Sequence, residues 1–353
     1  MKSSSNLLAY NCFHDASICF MEDPTSFFHL EEERVSRHKN DHRPYLAIAD
    51  SRDRIKDLGY IFHTTICDYK DDYRYRTVLD YTFELTKKVD QEDFNNPFKK
   101  VEYLDWTNDH HLFHAALGFY NSGFEDAVCI SVDGAGALLN EGYEVETIYE
   151  ASYPSSFEKL DQKLVAVDST KDLGIGFVYA GVSAYLGFGT LNCGKTMGLA
   201  PYGKFNPDIP SFLIDGEIDE TLWERDPSGI ILKPLEHVPS VEKNELHDIH
   251  SDLAWRVQKD FETYMINLIK KAIDLGQSKN IVLSGGCALN CTANYEYLKH
   301  LPEGVKLYVE PCSTDSGTSV GMAMYAWRKL TGSKEIYPIK DLYWGPQRNE
   351  ILL

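Results

Sequence analysis

The first third of the chain alternates short apolar runs with polar turns, a pattern typical of strands. Residues 7–20 read as two strands joined around the turn HDAS at 14–17, and residues 27–32 read as a third strand. Apolar residues at helical spacing predict a helix over residues 45–58. The polar tract 68–96 has weak periodicity, so we expect irregular structure there.

Strands alternate with helices from residue 101 onward, which predicts an α/β architecture. The apolar runs typical of strands cover residues 101–106, 127–132, 143–149, 281–283 and 305–310. Helical spacing covers residues 107–120, 176–186, 250–275, 288–300 and 317–330. We expect Thr107 or Asn108 to cap the first of these helices. His247 and His250, near the start of the third, are expected to face water.

Length and charge narrow the class of protein. A chain of 353 residues is long enough for two lobes with separate cores, because single cores stop growing near about 250 to 300 residues. The net charge of -19 opposes binding to a phosphate backbone, and we find no basic patch that would override it. We therefore expect a two-lobed enzyme that does not bind nucleic acid.

The sequence has no leader pattern and no apolar run of about 18 residues, which predicts a cytoplasmic protein that does not enter a membrane. The eight cysteines form no C-x-x-C pair, so neither a zinc knuckle nor a disulfide framework is indicated. Cys12, Cys19 and Cys129 lie in apolar stretches, where we expect reduced thiols that pack as small hydrophobic residues.

Four side chains are candidate metal ligands. His110 and His114 lie four residues apart on a predicted helix, so both can face one ion. On its own such a pair also fits a structural or solvated role. Asp133 and Asp315 follow predicted strands, at the edge where open α/β sheets bind ligands, although either could instead cap a helix. This ligand set suits iron(II), manganese or zinc equally.

Two glycine-rich turns follow predicted strands and are candidate phosphate loops. They are DGAG at 133–136 and SGG at 284–286, and their backbone N–H groups can face an anion. Taken singly, either one is better explained as a plain tight turn, because glycine relieves backbone constraints first. Lys195 stands among glycines and either contacts a phosphate or carboxylate or is solvated. The tract EEERVSRHK at 31–39 reads as a charged face.

Together these segments resemble the NodU/CmcH carbamoyltransferase family. Seven ordered blocks carry the resemblance, and they are HDAS at 14–17, EEERVSRHK at 31–39, HHLFHAALGFYNSGF at 110–124, SVDGAG at 131–136, GKTMGLAPYGK at 194–204, SGGCALNCTAN at 284–294 and EPCSTDSGTSVGMAMYAW at 310–327. The resemblance implies a two-lobed, actin-like (sugar-kinase, ASKHA) α/β fold in which each lobe is a mixed sheet with flanking helices. We place the lobes at residues 1–125 and 126–353, with the last helix, about 316–331, near their interface.

The resemblance also assigns roles to individual residues. The metal ligands of the family fall on His110, His114, Asp133 and Asp315. Its nucleotide loops correspond to Gly134, Ala135 and Gly136 and to Gly285, Gly286 and Asn290. Its general base falls on His14, which Asp15 could orient, and Lys195 falls in its glycine-lysine block. The implied cofactors are a divalent metal and ATP in the form of carbamoyl-adenylate.

The implied reaction transfers a carbamoyl group from carbamoyl-adenylate to a hydroxyl of a small molecule or glycan and releases AMP. Family members usually continue into a YrdC-like domain that makes carbamoyl-adenylate, and this sequence stops before it. We therefore expect either that the sequence is truncated or that a separate activating domain or chain is its partner. Two alternatives are a threonylcarbamoyl-type tRNA-modifying protein, which the charge opposes, and a non-catalytic nucleotide-binding regulatory module. We expect the acceptor pocket in the loops at 60–100 and 205–245.

Overall fold

The computed structural model describes residues 6–65, 102–226, 229–241 and 246–346. The chain forms two compact units. Unit 1 contains Met1–Ala127, Ala151–Phe157 and Glu310–Leu353, and unit 2 contains Val128–Glu150 and Glu158–Val309. The expected boundary at 125–126 lies close to Ala127, where the chain first passes from unit 1 to unit 2. The chain from Glu310 onward, however, belongs to unit 1. Hydrophobic periodicity identifies a helix without indicating which sheet it covers, so this return was not foreseen.

Unit 1 is a mixed sheet with helices. Its strands are β1 (Asn6–Cys12), β2 (Ser17–Asp23), β3 (Ser26–Glu31), β4 (Leu58–Thr65) and β5 (Glu102–Asp105). Its helices are α1 (Glu32–Ser36), α2 (Tyr45–Ser51), α3 (His110–Ser122) and, at the end of the chain, α8 (Thr318–Thr331). The three opening strands and the helix over 107–120 are confirmed, although the latter starts with a 3-10 turn at Thr107–Asp109.

The strands of unit 1 lie in the order β3-β2-β1-β4-β5. The first three are antiparallel neighbours, whereas β1, β4 and β5 run parallel. The β1–β2 hairpin turn contains HDAS, the sequence at 14–17. This turn therefore lies at the carboxyl end of β1, the edge at which parallel α/β sheets bind ligands.

Helix α8 packs closely against α3 because a glycine lies at each point of closest approach. A Cβ on Gly321 would lie 2.0 Å from the carbonyl oxygen of Phe113, and one on Gly317, in the turn before α8, would lie 2.7 Å from Leu117 Cδ2. Atoms never come this close without a backbone shift, so only glycine allows the contact. The close packing fixes the turn before α8 against the histidine-bearing helix α3.

Unit 2 is a second mixed sheet with a long helix. Its main strands are β6 (Asp126–Val132), β7 (Leu138–Leu139), β8 (Gly142–Ser152), β9 (Ser156–Val165), β14 (Asn280–Ser284) and β15 (Lys306–Val309). Two small hairpins are β10 (Leu213–Ile214) with β11 (Glu217–Ile218) and β12 (Trp223–Asp226) with β13 (Gly229–Leu232). Its helices are α4 (Ile175–Tyr185), α5 (Cys193–Leu199), α6 (Asp248–Leu275) and α7 (Cys291–Tyr297).

The larger sheet of unit 2 has the order β15-β14-β6-β8-β7, with β9 beside β8. β14 runs parallel to both β15 and β6, and Ser284 pairs with Ser131. The ends of β6 and β14 are therefore level with each other. The two glycine-rich turns that follow these strands must lie side by side.

The structure corrects several local expectations. The helix expected over 45–58 ends at Ser51, and β4 begins at Leu58. The first part of the helix expected over 288–300 is a 3-10 turn, and α7 spans only Cys291–Tyr297. The N-cap of α3 is Asp109, not Thr107 or Asn108, and its side chain makes no capping bond. The tract 68–96 lies outside the described residues.

The two histidines at the start of α6 do not both face water. His250 is only 1% exposed, and its Nδ1 accepts from the backbone N–H of His247 at 2.8 Å. The ring of His247 accepts a backbone N–H in return, so the pair caps the helix reciprocally. Imidazole nitrogens can take this role, which is normally assigned to hydroxyl and carboxylate side chains, and the sequence pattern gave no sign of it.

Cys12, Cys19 and Cys129 are buried in strands, as expected. Burial raises the pKa of the Cys12 thiol to about 12, because the low-polarity surroundings disfavour the thiolate. Within the described ranges, no helix combines the length and apolar character needed to cross a bilayer.

Candidate functional site

Helix α3 brings two imidazoles together in the core of unit 1. His110 and His114 both have 0% exposure, and their Nε2 atoms lie 3.1 Å apart. The spacing of four residues places both rings on one face of the helix. Two polar rings buried in this way are costly unless each has a defined partner.

A carboxylate faces both rings. Asp315 Oδ1 lies 3.5 Å from Nε2 of His110 and 3.5 Å from Nε2 of His114. The residue sits in the 3-10 turn Asp315–Gly317 before α8, which the glycine contacts hold against α3. Burial alone would raise the pKa of the Asp315 carboxyl, but His14 and the two α3 imidazoles outweigh it and hold that pKa well below its usual range. The carboxylate is therefore ionised although it is buried.

The turn after β1 adds a second pair to the cluster. His14 Nδ1 lies 3.2 Å from Asp15 Oδ2, and its Nε2 lies 3.4 Å from Asp315 Oδ2. The side chain of His14 remains 21% exposed, unlike the α3 histidines. Asp15 has φ 59, a left-handed conformation that aspartate adopts more readily than most residues. This turn sets an accessible imidazole between two carboxylates.

The buried ligand set fits a divalent metal. The ligand atoms of His110, His114 and Asp315 lie within 4.8 Å of one another. Two nitrogens bound to one ion at about 2.05 Å would lie about 2.9 Å apart in octahedral and about 3.3 Å apart in tetrahedral geometry. The observed 3.1 Å lies between these values. A direct hydrogen bond between the rings would explain that distance too, but it does not require a carboxylate oxygen at 3.5 Å from both.

Asp133 and the two glycine turns belong to unit 2. Asp133 Oδ1 accepts from the backbone N–H of Gly134 at 2.7 Å. A Cβ on Gly286 would lie 2.8 Å from this same oxygen, and one on Gly285 would lie 2.3 Å from the carbonyl oxygen of Val132. Gly285 also has φ 86. The turn at 285–286 thus lies against Val132 and Asp133, directly before the turn at 134–136, and it depends on the absence of a side chain. The role of Asp133 as a ligand stays a prediction.

Asn290 and Lys195 have different surroundings. The Asn290 side chain is engaged within the protein, because its Oδ1 accepts from Ala293 N–H at the start of α7 and its Nδ2 donates to Gln258 Oε1. Lys195 is exposed on α5, with its Nζ 5.8 Å from the centre of the Phe188 ring. Among the described residues, the predicted site residues thus form one group in unit 1 and another in unit 2.

Several supporting residues were missed in the sequence. Glu32 is only 2% exposed, and its carboxylate accepts from the N–H groups of Leu46 and Ala47 at the start of α2. Burial raises its pKa, since these two bonds only partly offset the lost hydration. Glu31 accepts from Ser316 Oγ at 2.9 Å, directly beside Asp315. The block EEERVSRHK was the available signal, but reading it as a charged face was wrong for these residues.

Comparison with known proteins identifies the family. The family model described as Carbamoyltransferase N-terminus matches residues 69–324. This stretch is more than half of the 353 residues. The chain belongs to the carbamoyltransferase N-terminus family. The resemblance to NodU/CmcH carbamoyltransferases is thereby confirmed.

Curated relatives agree with this assignment. Nodulation protein NolNO of Sinorhizobium fredii is 29% identical over 252 residues, which cover 67% of this chain and 33% of NolNO. The 3'-hydroxymethylcephem-O-carbamoyltransferase of Streptomyces clavuligerus is 28% identical over 148 residues, which cover 41% of this chain and 27% of that protein. The matched stretches therefore span well under half of either relative.

A solved structure confirms the fold class. HypF of T. kodakarensis superposes with a TM-score of 0.56 at 14% identity, over 94% of this chain and 49% of HypF. Identity this low is evidence of the fold alone. The actin-like α/β fold expected from the family resemblance is confirmed.

Proposed function

We propose that the chain is the acceptor half of an O-carbamoyltransferase, which transfers a carbamoyl group from carbamoyl-adenylate to a hydroxyl. One observation carries this proposal beside the family assignment. In unit 1 a partly exposed imidazole, His14, lies between Asp15 and a buried group of two histidines and one aspartate. Such an arrangement combines a general base with a cation site, two elements that assist acyl transfer to an alcohol.

His14 is the general base for the acceptor hydroxyl. Its Nδ1 lies 3.2 Å from Asp15 Oδ2 and its Nε2 lies 3.4 Å from Asp315 Oδ2. With the ring proton on Nδ1, Nε2 is the nitrogen that accepts the hydroxyl proton. Asp15 orients the ring and stabilises the imidazolium that forms, as the aspartate does in a Ser-His-Asp triad.

His110, His114 and Asp315 hold a divalent metal, with Asp133 as the fourth ligand expected from the family resemblance. Iron(II), zinc and manganese all suit imidazole and carboxylate ligands. When bound, the ion supplies Lewis-acid stabilisation for charge that develops on the transferred group. The protein's own contribution is to keep Asp315 ionised in a buried position.

The glycine turns of unit 2 bind the adenylate. The turns at 134–136 and 285–286 present backbone N–H groups that suit a phosphate, and a side chain on Gly285 would clash there. Lys195, exposed on α5, contributes positive charge to the same ligand. Asn290 acts by fixing the start of α7 through Ala293 N–H, since its side chain is engaged there.

The reaction balances without a further reactant. The acceptor oxygen attacks the carbamoyl carbon, its proton passes to His14 Nε2, and the bond between that carbon and the phosphate oxygen breaks to release AMP. A YrdC-like activating domain makes carbamoyl-adenylate from carbamoyl phosphate and ATP. The use of ATP and the buried reduced thiols suit a cytoplasmic protein.

A transfer assay tests the proposal. The chain is incubated with a divalent metal, carbamoyl phosphate, ATP and a separate activating domain, together with a monosaccharide, a chito-oligosaccharide, a 3'-hydroxymethylcephem or a nucleoside. Mass spectrometry should detect one added carbamoyl group on one acceptor class, and the His14→Gln variant should not produce it. ATP or AMP binding without transfer to any acceptor would instead favour the regulatory-module alternative.

A further inference from the structure

We propose that Asn40 is a positioning residue that holds Asp15, and through it the ring of His14, in the orientation needed for proton transfer. This inference rests on the proposed role of His14 as general base. Asn40 lies in the loop between α1 and α2, directly after the tract 31–39 that reads as a charged face. Its Nδ2 donates to Asp15 Oδ1 at 2.6 Å. The other oxygen of that carboxylate faces His14 Nδ1 at 3.2 Å.

The two oxygens of Asp15 therefore have separate partners. A carboxylate that is free to rotate would offer either oxygen to the histidine, in a range of directions. With Oδ1 held by an amide, Oδ2 is directed at Nδ1, which favours a ring proton on that nitrogen although Asp315 Oδ2 lies 3.4 Å from Nε2. An ionised carboxylate only accepts hydrogen bonds, so the Asn40 side chain must present its NH₂ group and not its oxygen.

The loop that bears Asn40 is itself fixed to the turn around His14. Phe13 N–H donates to His42 O at 3.0 Å, and Ala16 N–H donates to Asp41 O at 2.9 Å. The backbone N–H of Asn40 donates to Glu33 Oε2 at 3.1 Å. These bonds fix the chain after Asn40 to the turn around His14 and the backbone of Asn40 itself to Glu33, which restrains the position of its amide relative to Asp15.

Three residues of this region adopt positive φ values, which are uncommon for residues other than glycine. Phe13 and Asp15, on either side of His14, have φ 103 and φ 59, and Asn40 has φ 56. Asparagine and aspartate tolerate the left-handed region, whereas a bulky residue such as Phe13 is an outlier there. Strain of this kind, of about 1 to 3 kcal/mol, persists where the surrounding structure enforces it and concentrates at functional sites.

Two variants test the role of the Asn40 side-chain amide separately from the role of its backbone conformation. Asn40→Gly removes the amide while keeping freedom for positive φ, and Asn40→Asp keeps the shape but places a second carboxylate against Asp15. Asp41→Ala is the matched control, because it alters the same loop and removes only a bond from His42 N–H to Asp41 Oδ1. Its backbone bond to Ala16 remains.

The decisive readout is the imidazole tautomer of His14. In the zinc-loaded full chain with ¹⁵N-labelled histidine, proton–nitrogen correlation spectra at pH 8, assigned with His14→Gln, should show the ring proton on Nδ1. Asn40→Gly and Asn40→Asp should shift the proton toward Nε2, and Asp41→Ala should not. In the transfer assay the two Asn40 variants should lower kcat about 10- to 100-fold with KM for the acceptor unchanged, the range found for residues that orient a functional group.

The outcomes separate this proposal from the proposed function. A wild-type ring protonated on Nε2, or Asn40 variants whose spectra match Asp41→Ala, would overturn the positioning role. A shifted tautomer with unchanged kcat would support the positioning role and overturn the assignment of His14 as general base. A shifted tautomer with reduced kcat and unchanged KM supports both.

Discussion

The candidate site of unit 1 is built from side chains, whereas that of unit 2 is built from backbone groups. Unit 1 uses side chains, since its cluster consists of imidazoles and carboxylates on α3, on the turn before α8 and on the turn after β1. Unit 2 uses backbone, since its glycine turns follow the parallel strands β6 and β14 and carry no functional group of their own. The first arrangement suits a metal and proton transfer, and the second suits a phosphate.

The difference teaches how each site should respond to substitution. A side-chain site fails when a functional group is removed, even if the fold is unchanged. A backbone site fails when a methyl group is added, because the N–H groups that bind the ligand lose their direction. Substitutions of matched size in the two units should therefore separate the two kinds of site.

The largest expected effect is the loss of a metal ligand in unit 1. His114→Ala should lower metal affinity by at least about 100-fold and abolish carbamoyl transfer, because it leaves one imidazole and one carboxylate of this group. Metal content after dialysis against zinc or iron(II), measured by mass spectrometry, checks this. His300→Ala, an exposed histidine, is the control. Full metal content in His114→Ala would mean that the two α3 rings form only a hydrogen-bonded pair.

The second effect concerns the backbone site of unit 2. Gly285→Ala places a Cβ 2.3 Å from the Val132 carbonyl oxygen at φ 86. We expect a loss of about 2 to 4 kcal/mol in the free energy of unfolding and at least a tenfold loss in affinity for ATP or AMP. Urea unfolding and titration calorimetry measure the two quantities.

Gly304→Ala is the matched control for this prediction. Gly304 has φ 82, nearly that of Gly285, but a Cβ added there would have no heavy atom within 4 Å. Its replacement should lower the free energy of unfolding by only about 1 to 2 kcal/mol, the cost of a left-handed backbone at a residue with a Cβ. Nucleotide affinity should stay unchanged. Equal effects at both glycines would show that the turn at 285–286 is an ordinary tight turn.

The third prediction concerns a backbone contact in unit 1. Gly321→Ala adds a Cβ 2.0 Å from the Phe113 carbonyl oxygen, so α8 must move away from α3. The expected cost is about 1 to 3 kcal/mol of stability, together with weaker metal binding, because Asp315 moves with α8. Thermal unfolding with and without zinc measures both effects. A metal-induced rise in Tm equal to that of the wild type would show that the Asp315 position does not depend on this packing.

The sequence predicted the two kinds of site unequally well. Periodicity identified α3, β6, α6 and β14, because each carries a strong apolar pattern. The histidine pair and Asp315 could be proposed as ligands because their residue types bind metals in a recognisable spacing. Contacts over long sequence distances were not accessible, such as the return of the chain after Glu310 to unit 1. Periodicity describes a single element and not its neighbours.

Supporting residues were the least predictable part of the site. Glu31, Glu32 and Glu33 are consecutive and chemically alike, but they accept hydrogen bonds from Ser316, from the start of α2 and from Asn40 respectively. Composition makes them one charged face, whereas the fold gives each a different partner. Likewise His250 caps α6 from a buried position, because its ring reaches back to the N–H of His247. Roles of this kind depend on geometry that residue type does not encode.

The smallest expected effect concerns a buried carboxylate of unit 2, which differs from the buried carboxylate of unit 1. Asp315 of unit 1 has three imidazoles nearby, and its pKa is held well below the usual range. Glu146 of unit 2 accepts from Tyr264 Oη–H at 2.7 Å. Burial raises its pKa from 4.5, and Lys163 only partly offsets the shift. Burial therefore disfavours the ionised form of both carboxylates, and Asp315 differs from Glu146 in the three imidazoles placed around it.

This contrast predicts a pH dependence for Glu146→Gln. Below about pH 4.5 Glu146 is protonated in both states, so its ionisation contributes nothing to stability. Above that pH the unfolded chain releases the proton first, so the wild-type free energy of unfolding falls relative to the variant until pH passes the raised native pKa. Each pKa unit between the two states is worth about 1.4 kcal/mol. Urea unfolding of the wild type and of Glu146→Gln from pH 4 to 8 measures the difference in the free energy of unfolding. If the two free energies change with pH in parallel, Glu146 is ionised in the native state. Unit 2 would then stabilise a buried anion, as unit 1 does.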